Sequence, residues 1–387
     1  MQNDLTSLIR KRFLEIFKQD PLTVFAPGRI NLIGEHTDYN EGFVMPAAID
    51  MGIVFAISKS NNTHSRIYSH TFQEMIDLDP VRLEPIKSPV WANYLLGVLK
   101  SFASKACPLQ TFNCVFGGNI PVGAGLSSSA ALECGFAFAL NELFDLNVNK
   151  IDLILMAQWA EHHYAGVKCG IMDQFASVMG LEEHVLLLDC RSLEYQYFPI
   201  HLNDYRILIC DTGVKHSLAD SEYNVRRQEC EYGVSVMKKR NPWIRSLRDA
   251  TLEMINTSHD QLPQKVYQRC LYVLQENLRV REASQDLLEG NLLALGSKMY
   301  RTHEGLSIQY EVSCDELDFL VNQTLKWDAI IGSRMMGGGF GGCTINIIHF
   351  KETESFLSYI QPAYSIRFGK ELKVYQVQPG DGVHIIS

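Results

Sequence analysis

The sequence contains no apolar run that approaches the roughly 20 residues of a membrane-spanning helix. Its N-terminal segment also lacks the pattern of a signal peptide, because Leu5, Leu8 and Ile9 recur at helical spacing with charged residues between them. The ten cysteines include no C-x-x-C pair and no Cys/His cluster with the spacing of a zinc site. We therefore expect a cytoplasmic protein with reduced thiols and no membrane partner.

The sequence also has no excess of basic residues. The chain has 35 Lys and Arg against 44 Asp and Glu, which gives a net charge of −9. A balance of this sign argues against a protein built to hold nucleic acid or an anionic membrane surface. A local basic pocket for a nucleotide remains compatible with it.

No internal repeat, low-complexity tract or Pro/Gly/Ser-rich linker divides the sequence. With 387 residues, of which 46% are hydrophobic and 20% charged, the chain can bury a large core and is too long for one ordinary domain. Because the strand and helix pattern restarts near residue 195, we expect two domains, residues 1–195 and 196–387. We expect a monomer and leave a dimer open.

Hydrophobic periodicity predicts the main elements. Strands are expected at residues 22–26, where Pro27 and Gly28 should end the strand, at 43–48 and 53–58 as a pair, and at 111–116, 185–188, 206–210 and 343–350. Helices are expected over the N-terminal segment and over 91–106, 129–144, 152–165 and 217–239, with two or three more up to about residue 326. The helix at 129–144 is so apolar that both of its faces should be covered.

The run PVGAGLSSSAALE (residues 121–133) has the chemistry of a phosphate-binding loop. Glycines allow backbone N–H groups to approach a ligand, and the start of a helix adds unpaired donors. The run lacks the Walker lysine, and Ser128 occupies the third glycine position of a dinucleotide-binding fingerprint. A triphosphate held by amides and serine hydroxyls, with Mg²⁺, fits better. The alternative is a capped helix after a tight turn.

A second polar run, RINLIGEHTDY (residues 29–39), follows the first strand. Its apolar residues would anchor the segment to a core, and its carboxylates and imidazole suit the vicinal hydroxyls of a sugar. The alternative is a solvated polar loop.

A third segment, GIMDQF (residues 170–175), surrounds Asp173 with apolar residues, so that this carboxylate needs a partner, for which Arg29 is a candidate. The alternative is a purely structural ion pair. The glycine-rich run MMGGGFGG (residues 335–342) permits close backbone approach, and we expect it to support another loop rather than to bind a ligand.

These runs together resemble known sequences. PVGAGLSSSAALE resembles the phosphate loop of the GHMP small-molecule kinases, and MMGGGFGG resembles their third motif. GRINLIGEHTDYNEG and CGIMDQF closely resemble the signature and the catalytic segment of the galactokinase family. The resemblance spans residues 22 to 350. It implies an α/β fold of the α+β type, with two domains, mixed or antiparallel sheets, packed helices and an active site between the domains.

The resemblance implies transfer of the γ-phosphoryl group of ATP to the C1 hydroxyl of galactose. Asp173 would be the catalytic base and Arg29 its neighbouring charge, and Mg²⁺ would bind Ser129 and Glu161, although the adjacent serines are equally hydroxylated. The implied substrate-binding residues are Glu35, His36, Thr37, Asp38, Gly170 and Tyr223. The implied ATP-binding residues are Gly123, Ala124, Gly125, Leu126, Ser127, Ser128 and Ser129.

Two alternatives remain beside plain galactose phosphorylation. One is a related sugar 1-kinase acting on N-acetylgalactosamine or a uronic acid, although Thr37 favours galactose. The other is a non-catalytic sensor of galactose and ATP, against which the Ser129-Ala130 pair and Asp173 argue. Other polar or aromatic residues are expected to have structural roles. These are His162 and His163 as solvated residues, Arg226 and Arg227 as a charged face or ion pairs, and Trp91 in the core.

Overall fold

The computed structural model describes residues 2–79, 82–105, 109–121, 123–214 and 219–386, without the side chains of residues 219–221. Its strands are β1 Leu22–Asn31, β2 Phe43–Val44, β3 Pro46–Lys59, β4 Ser65–Ser69, β5 Glu74–Leu78, β6 Phe112–Gly118, β7 His184–Asp189, β8 Tyr195–Pro199, β9 Tyr205–Asp211, β10 Ile330–Met336, β11 Cys343–His349, β12 Lys373–Val377 and β13 His384–Ile385.

The helices cover the faces of the sheets. They are α1 Gln2–Phe17, α2 Trp91–Ser104, α3 Ser128–Phe144, α4 Lys150–Ala160, α5 Met172–Met179, α6 Ala219–Lys238, α7 Leu252–Thr257, α8 Gln264–Leu288, α9 Leu292–Glu304, α10 Asp315–Thr324 and α11 Thr353–Phe368. Two π-helical turns, Glu161–Ala165 and Gly305–Gln309, continue α4 and α9. No helix in these ranges is long and apolar enough to cross a bilayer.

The strands of the described residues form three sheets. The largest has six strands in the order β13-β1-β3-β6-β4-β5, the second has the order β10-β11-β9-β12, and the third has the order β2-β7-β8. Among the pairings within these sheets, β4 with β6 is parallel and the others are antiparallel. This confirms the expected α/β architecture with mixed and antiparallel sheets.

The prediction for helix 129–144 is confirmed by α3, which packs against β1, β3, α4 and α5. Its apolar surface therefore meets strands on one side and helices on the other. This packing fixes the start of α3, and with it the predicted phosphate loop, against the end of β1.

Two strand predictions were wrong. Pro27 and Gly28 do not end β1, because the strand absorbs them in an irregularity between Pro27 and Arg29 and continues to Asn31. Gly28 is needed there, since a Cβ atom would lie 2.6 Å from the carbonyl oxygen of Leu126. The expected hairpin at residues 43–58 is instead one long strand, β3, preceded by β2 in a different sheet.

The region between α6 and β10 contains four helices, α7 to α10, where two or three were expected. The start of the predicted helix 217–239 lies partly outside the described residues. The division near residue 195 stays a prediction: β7 and β8 pair across it, and β13 from the C-terminus joins the first sheet beside β1.

Candidate active site

Segments that are distant in the sequence enclose a cavity of about 140 Å³. The end of β1 and the loop after it, the π-helical turn after α4, the start of α5, helix α6 and the glycine-rich run all contribute to its wall. The lining residues are Arg29, Glu35, His36, Asp38, Glu161, Val167, Cys169, Met172, Asp173, Tyr223, Gly337 and Gly338.

Arg29 and Asp173 form a two-point ion pair at this cavity. Nε of Arg29 donates to Oδ1 of Asp173 at 2.8 Å, and Nη2 donates to Oδ2 at 3.0 Å. Burial by itself would lower the pKa of Arg29, but the negative charges of Asp173 and Glu35 outweigh it and raise the pKa. Asp173 lies in the first turn of α5, where the helix dipole also favours a negative charge. Arg29 therefore stays charged and holds the carboxylate in one orientation.

The predicted phosphate loop is tied directly to this ion pair. Ser127 Oγ donates to Oδ2 of Asp173, and Nη1 of Arg29 donates to the carbonyl oxygen of Gly125. The backbone N–H of Arg29 also donates to the carbonyl oxygen of Leu126 at 3.1 Å. The loop turns with positive φ angles of 84° at Gly123 and 71° at Gly125. A ligand on this loop would therefore lie close to the Asp173 carboxylate.

The glycine-rich run packs beneath the same loop, as expected for a supporting role. A Cβ atom on Gly125 would lie 3.2 Å from the carbonyl oxygen of Met336, and one on Gly337 would lie 3.5 Å from Gly125. The backbone N–H of Gly337 also donates to Oε1 of Glu35 at 2.9 Å. The glycine-rich run therefore contacts both the phosphate loop, at Gly125, and the polar run of residues 29–39, at Glu35.

Glu35 is held by a buried arginine. Nη2 of Arg334 donates to Oε1 of Glu35 at 3.0 Å and also to the carbonyl oxygen of residue 31, while Nε and Nη1 donate to those of residues 32 and 335. The side chains of Arg334 and Glu35 are 0% and 2% exposed. The orientation of Glu35 is therefore fixed before any ligand binds.

Asp38 lies against Gly170, whose missing side chain leaves room for its carboxyl group. Burial, together with the nearby charge of Asp173, raises the pKa of Asp38 to about 7. The two predicted substrate-binding residues thus meet at the cavity wall, and Asp38 can exchange a proton near neutral pH.

His36 lies among three tyrosine rings. Its ring centroid is 5.8 Å from that of Tyr39, 5.5 Å from that of Tyr223 and 4.8 Å from that of Tyr310. Burial, with a smaller effect of the Arg226 charge, lowers the pKa of His36 to about 3. The imidazole is therefore neutral at physiological pH.

Glu161 occupies the side of the cavity next to α3. Burial raises its pKa to about 7, with a further contribution from Asp173, while a hydrogen bond with Ser129 acts in the opposite direction. Gln174 Nε2 donates to Oε2 of Glu161 at 2.6 Å. The fully buried Glu133, one turn after Ser129, has its pKa raised by burial and by Glu161. A hydroxyl group and two carboxyl groups thus cluster behind the phosphate loop.

Thr37 does not reach the cavity. Its Oγ1 lies 2.9 Å from the carbonyl oxygen of Gly34 and 2.6 Å from that of Phe43, and the residue is fully buried. Its hydroxyl group closes the loop that carries His36 and Asp38. Any influence of Thr37 on the choice of sugar would therefore pass through the shape of this loop.

A second cavity of about 160 Å³ opens beside the start of α3. Phe72 and Trp91 lie parallel in its wall, with ring centroids 6.5 Å apart, and Trp91 is 7% exposed. Trp91 is thus buried, as expected, and also lines a cavity that the sequence did not indicate. Tyr94, Phe116, Ser128 and Ser129 line it too.

The remaining polar residues vary in environment. Arg226 is buried and pairs with Glu222, and Arg227 pairs with Glu231, in line with the expected ion pairs. His163 is exposed and His162 is half-buried, and a ring nitrogen of each lies 2.8 Å from a backbone carbonyl oxygen, that of Trp159 and that of Cys169 respectively, so His162 is solvated only in part.

Sequence reasoning missed several residues that shape the site. Arg334 and Tyr310 lie far along the chain from the motifs that they contact, and no local pattern marks them. Glu133 belongs to the loop motif, and its carboxyl group in an otherwise apolar helix was the available signal. Gly337 and Gly338, for which a supporting role was favoured over contact with a ligand, also line the cavity.

Comparison with known proteins gives consistent similarities. Residues 11–59 match the galactokinase galactose-binding signature, and residues 93–181 match the N-terminal domain of GHMP kinases. A galactokinase of Thermosipho africanus is 40% identical over 94% of this chain and 99% of its own. A galactokinase of Chloroflexus aurantiacus is 38% identical over 98% of this chain and 97% of its own.

Solved structures show the same similarity at the level of the fold. The crystal structure of Lactococcus lactis galactokinase complexed with galactose has a TM-score of 0.94 and 33% identity, covering 98% of this chain and 99% of that one. The mevalonate kinase of Methanococcus jannaschii shares the fold alone, with a TM-score of 0.65 at 15% identity over 94% of this chain and all of that one.

Proposed function

The chain belongs to the galactokinase family of GHMP kinases, and we propose that it transfers the γ-phosphoryl group of ATP to the C1 hydroxyl of α-D-galactose. The products are galactose 1-phosphate and ADP. The observation that carries the proposal is the position of the Asp173 carboxylate, which lies at the sugar-sized cavity and is bound by Arg29 and by Ser127 of the phosphate loop. A hydroxyl group in the cavity and a phosphate on the loop would both be near this carboxylate.

In the proposed reaction, the C1 oxygen attacks the γ-phosphorus while the bond from phosphorus to the ADP oxygen breaks. The proton of the C1 hydroxyl passes to the carboxylate of Asp173. Because phosphoryl transfer proceeds through a loose transition state, positioning and charge neutralisation contribute most of the catalysis. Arg29 fixes Asp173 and adds a positive charge beside the loop.

ATP is proposed to place its phosphates on residues 123–129. The backbone amides of the loop and the N-terminus of α3 would bind their negative charge. The neighbouring aromatic cavity, with Phe72 and Trp91 in its wall, is the proposed site of the adenine ring, since it adjoins Ser128 and Ser129 and is lined mainly by apolar groups.

Mg²⁺ is proposed to bind between Ser129 and Glu161. The hydroxyl and carboxylate oxygens of these residues are the hard donors that Mg²⁺ prefers, and the Ser129 hydroxyl lies near enough to Glu161 to act on its pKa. Oε1 of Glu133, close behind them, is buried without a hydrogen-bond partner among the described residues. When bound, Mg²⁺ supplies positive charge to the phosphates, and Glu133 and Gln174 hold Glu161 in place.

Galactose is proposed to contact Glu35, His36, Asp38 and Tyr223 around the cavity, with Gly170 providing space. Buried and pre-oriented carboxylates such as Glu35 suit sugar hydroxyls, because the cost of ordering them has been met during folding. Thr37 is proposed to act indirectly, by closing the loop that carries His36 and Asp38.

The test is a substrate panel with purified protein and Mg-ATP. The sugars are galactose, 2-deoxygalactose, N-acetylgalactosamine, galacturonate and glucose, and the readouts are ADP release and the sugar 1-phosphate formed. We expect turnover with galactose and far less with glucose. Preferential turnover of N-acetylgalactosamine or galacturonate would identify that sugar, and not galactose, as the substrate. Tight galactose binding without turnover would favour a sensor.

A further inference from the structure

A buried chain of hydrogen bonds leads from the sugar cavity into the C-terminal half of the protein. Nδ1 of His36 is 2.8 Å from the hydroxyl oxygen of Tyr39, which is 2.7 Å from that of Tyr310. The Tyr310 hydroxyl is in turn 3.2 Å from Sγ of Cys230. Tyr310 and Cys230 are 0% and 1% exposed. Water therefore has no access to the inner end of this chain.

Each hydroxyl group has a single hydrogen, so the hydrogen bonds of the chain must all point the same way. In one direction, Nδ1–H of His36 donates to Tyr39, which donates to Tyr310. In the other direction, Tyr310 donates to Tyr39, and Tyr39 donates to Nδ1. A phenol is a better donor than acceptor and an imidazole nitrogen is a good acceptor, so the second direction is favoured.

The second direction leaves the imidazole hydrogen on Nε2. A neutral imidazole carries one N–H, and a nitrogen that accepts from Tyr39 cannot be the protonated one. Nε2 of His36 is buried and makes no hydrogen bond of normal geometry with the described residues, although the nearby backbone of Gly338 acts on the ring and slightly opposes the lowering of its pKa. The residue lines the cavity, beside Asp38 and Tyr223. An unpaired buried donor at a cavity costs free energy unless a ligand satisfies it.

We propose that Tyr310, acting through Tyr39, is a positioning residue that keeps the hydrogen of His36 on Nε2, so that His36 donates to one hydroxyl oxygen of the bound sugar. This inference rests on the proposed function for the identity of the ligand. The position of the hydrogen on the imidazole does not depend on that function, because the chain of hydroxyl groups sets it in the ligand-free protein. The sugar oxygen that meets His36 must act as an acceptor.

Tyr310→Phe is the decisive variant, because it keeps the ring that packs on His36 and Tyr272 and removes only the hydroxyl group. Without a donor from Tyr310, the Tyr39 hydroxyl is free to accept from Nδ1–H, and the hydrogen can move from Nε2 to Nδ1. Tyr300→Phe is the matched control. It also removes a partly buried hydroxyl group, whose partners are Thr324 Oγ1 at 3.0 Å and the carbonyl oxygen of Ile330 at 3.4 Å, away from this chain.

The first measurement is ¹⁵N NMR of the histidine rings in the ligand-free protein, with the His36 signals assigned by their loss in His36→Gln. The wild type and Tyr300→Phe should show the Nε2–H tautomer, and Tyr310→Phe should show a substantial population of Nδ1–H. A wild-type ring in the Nδ1–H form, or an unchanged Tyr310→Phe spectrum, would overturn the proposal. This readout needs no substrate, so it is separate from any failure of the proposed function.

The second measurement is kinetic. Tyr310→Phe should raise the KM for galactose about tenfold, the scale of one hydrogen bond, and should leave kcat within about twofold. Across a series of monodeoxygalactoses, the KM penalty of the variant should disappear for the one analogue that lacks the acceptor oxygen. An equal penalty for every analogue would indicate a purely structural effect and would contradict donation to the sugar.

Discussion

Gly170 and Asp38 are in such close contact that a Cβ atom on Gly170 would lie 1.9 Å from Oδ2 of Asp38. The absence of a side chain at Gly170 is therefore a condition for the position of the Asp38 carboxyl group. The sequence placed both residues in the sugar site by resemblance, but only the fold shows that one makes room for the other.

Gly170→Ala should displace Asp38 and weaken galactose binding. We expect the Kd for galactose to rise by about tenfold or more, as for the loss of a charged hydrogen-bond partner, while ATP binding stays near normal. Calorimetric titration with each ligand checks this. Gly380→Ala is the control, since its Cβ atom would meet its nearest neighbour at an ordinary 3.6 Å. Unchanged galactose affinity in Gly170→Ala would mean that Asp38 does not contact the sugar.

Asp173→Asn should abolish most turnover and preserve galactose binding. The amide keeps the size of the carboxyl group but cannot accept the C1 proton, and loss of a general base typically costs about 10²–10⁴-fold in rate. The check is kcat together with a directly measured Kd for galactose. Asp381→Asn, which alters an exposed carboxylate that accepts from the backbone N–H of Glu182, should leave both unchanged. A kcat within tenfold of wild type would remove Asp173 from proton transfer.

Alanine substitution of the loop serines should separate their roles. Ser129 interacts with Glu161, whereas Ser127 donates to Asp173. We expect Ser129→Ala to weaken binding of Mn²⁺, used as a paramagnetic probe for Mg²⁺, by about 10–100-fold in the presence of ADP. Ser127→Ala should keep Mn²⁺ affinity and lower kcat. The reverse pattern would assign the metal to Ser127.

The stability of the ligand-free protein should fall as pH rises from about 4 to about 7 through the contribution of Asp38 and Glu161. Burial raises the pKa of both carboxyl groups to about 7, so the folded state retains protons that the unfolded state has released. Each group then contributes a slope of up to about 1.4 kcal/mol per pH unit in the free energy of unfolding. Urea denaturation at pH 5, 6 and 7 measures this slope.

The variants Asp38→Asn and Glu161→Gln isolate these contributions, because each amide stays neutral across the range. In each variant, the free energy of unfolding should fall less steeply with rising pH than in the wild type. An Asp152→Asn variant, in which the pKa of the exposed carboxylate is lowered by Lys105, should leave the decline from pH 5 to 7 in place. A wild-type slope retained in both active-site variants would show that other groups carry it.

The motifs predicted most of the cavity, because the galactokinase-like segments each carry several site residues in a short stretch. What they could not predict are contacts formed by the fold. Tyr310 reaches Tyr39 across 271 residues, and Arg334 reaches Glu35 across 299. Neither has a local pattern that distinguishes it from other tyrosines or arginines. Thr37 shows the opposite case, since its place in a signature suggested contact with the sugar and its hydroxyl group faces the backbone.

The errors in the strands have a similar origin. Pro27 and Gly28 usually end a strand, and that local preference was followed. Here pairing with β3 on both sides of the irregularity outweighs it, and the resulting change of register precedes Arg29, which points to Asp173. The rule that Pro and Gly end a strand thus failed next to an active-site residue. Exceptions to local sequence rules are expected at functional positions.

Arg334 provides a final prediction, concerning stability. It is fully buried, and it neutralises Glu35 while donating to backbone carbonyl oxygens of residues 31, 32 and 335. Arg334→Met should therefore lower the free energy of unfolding by about 3–5 kcal/mol, because it leaves a buried carboxylate without its partner. Adding Glu35→Gln should restore part of that loss, since a neutral amide tolerates the site better. Urea denaturation of both single variants and the double variant gives the coupling energy. Additive losses would show that Arg334 stabilises the protein through the backbone carbonyls alone, and that Glu35 is oriented by the N–H of Gly337 instead.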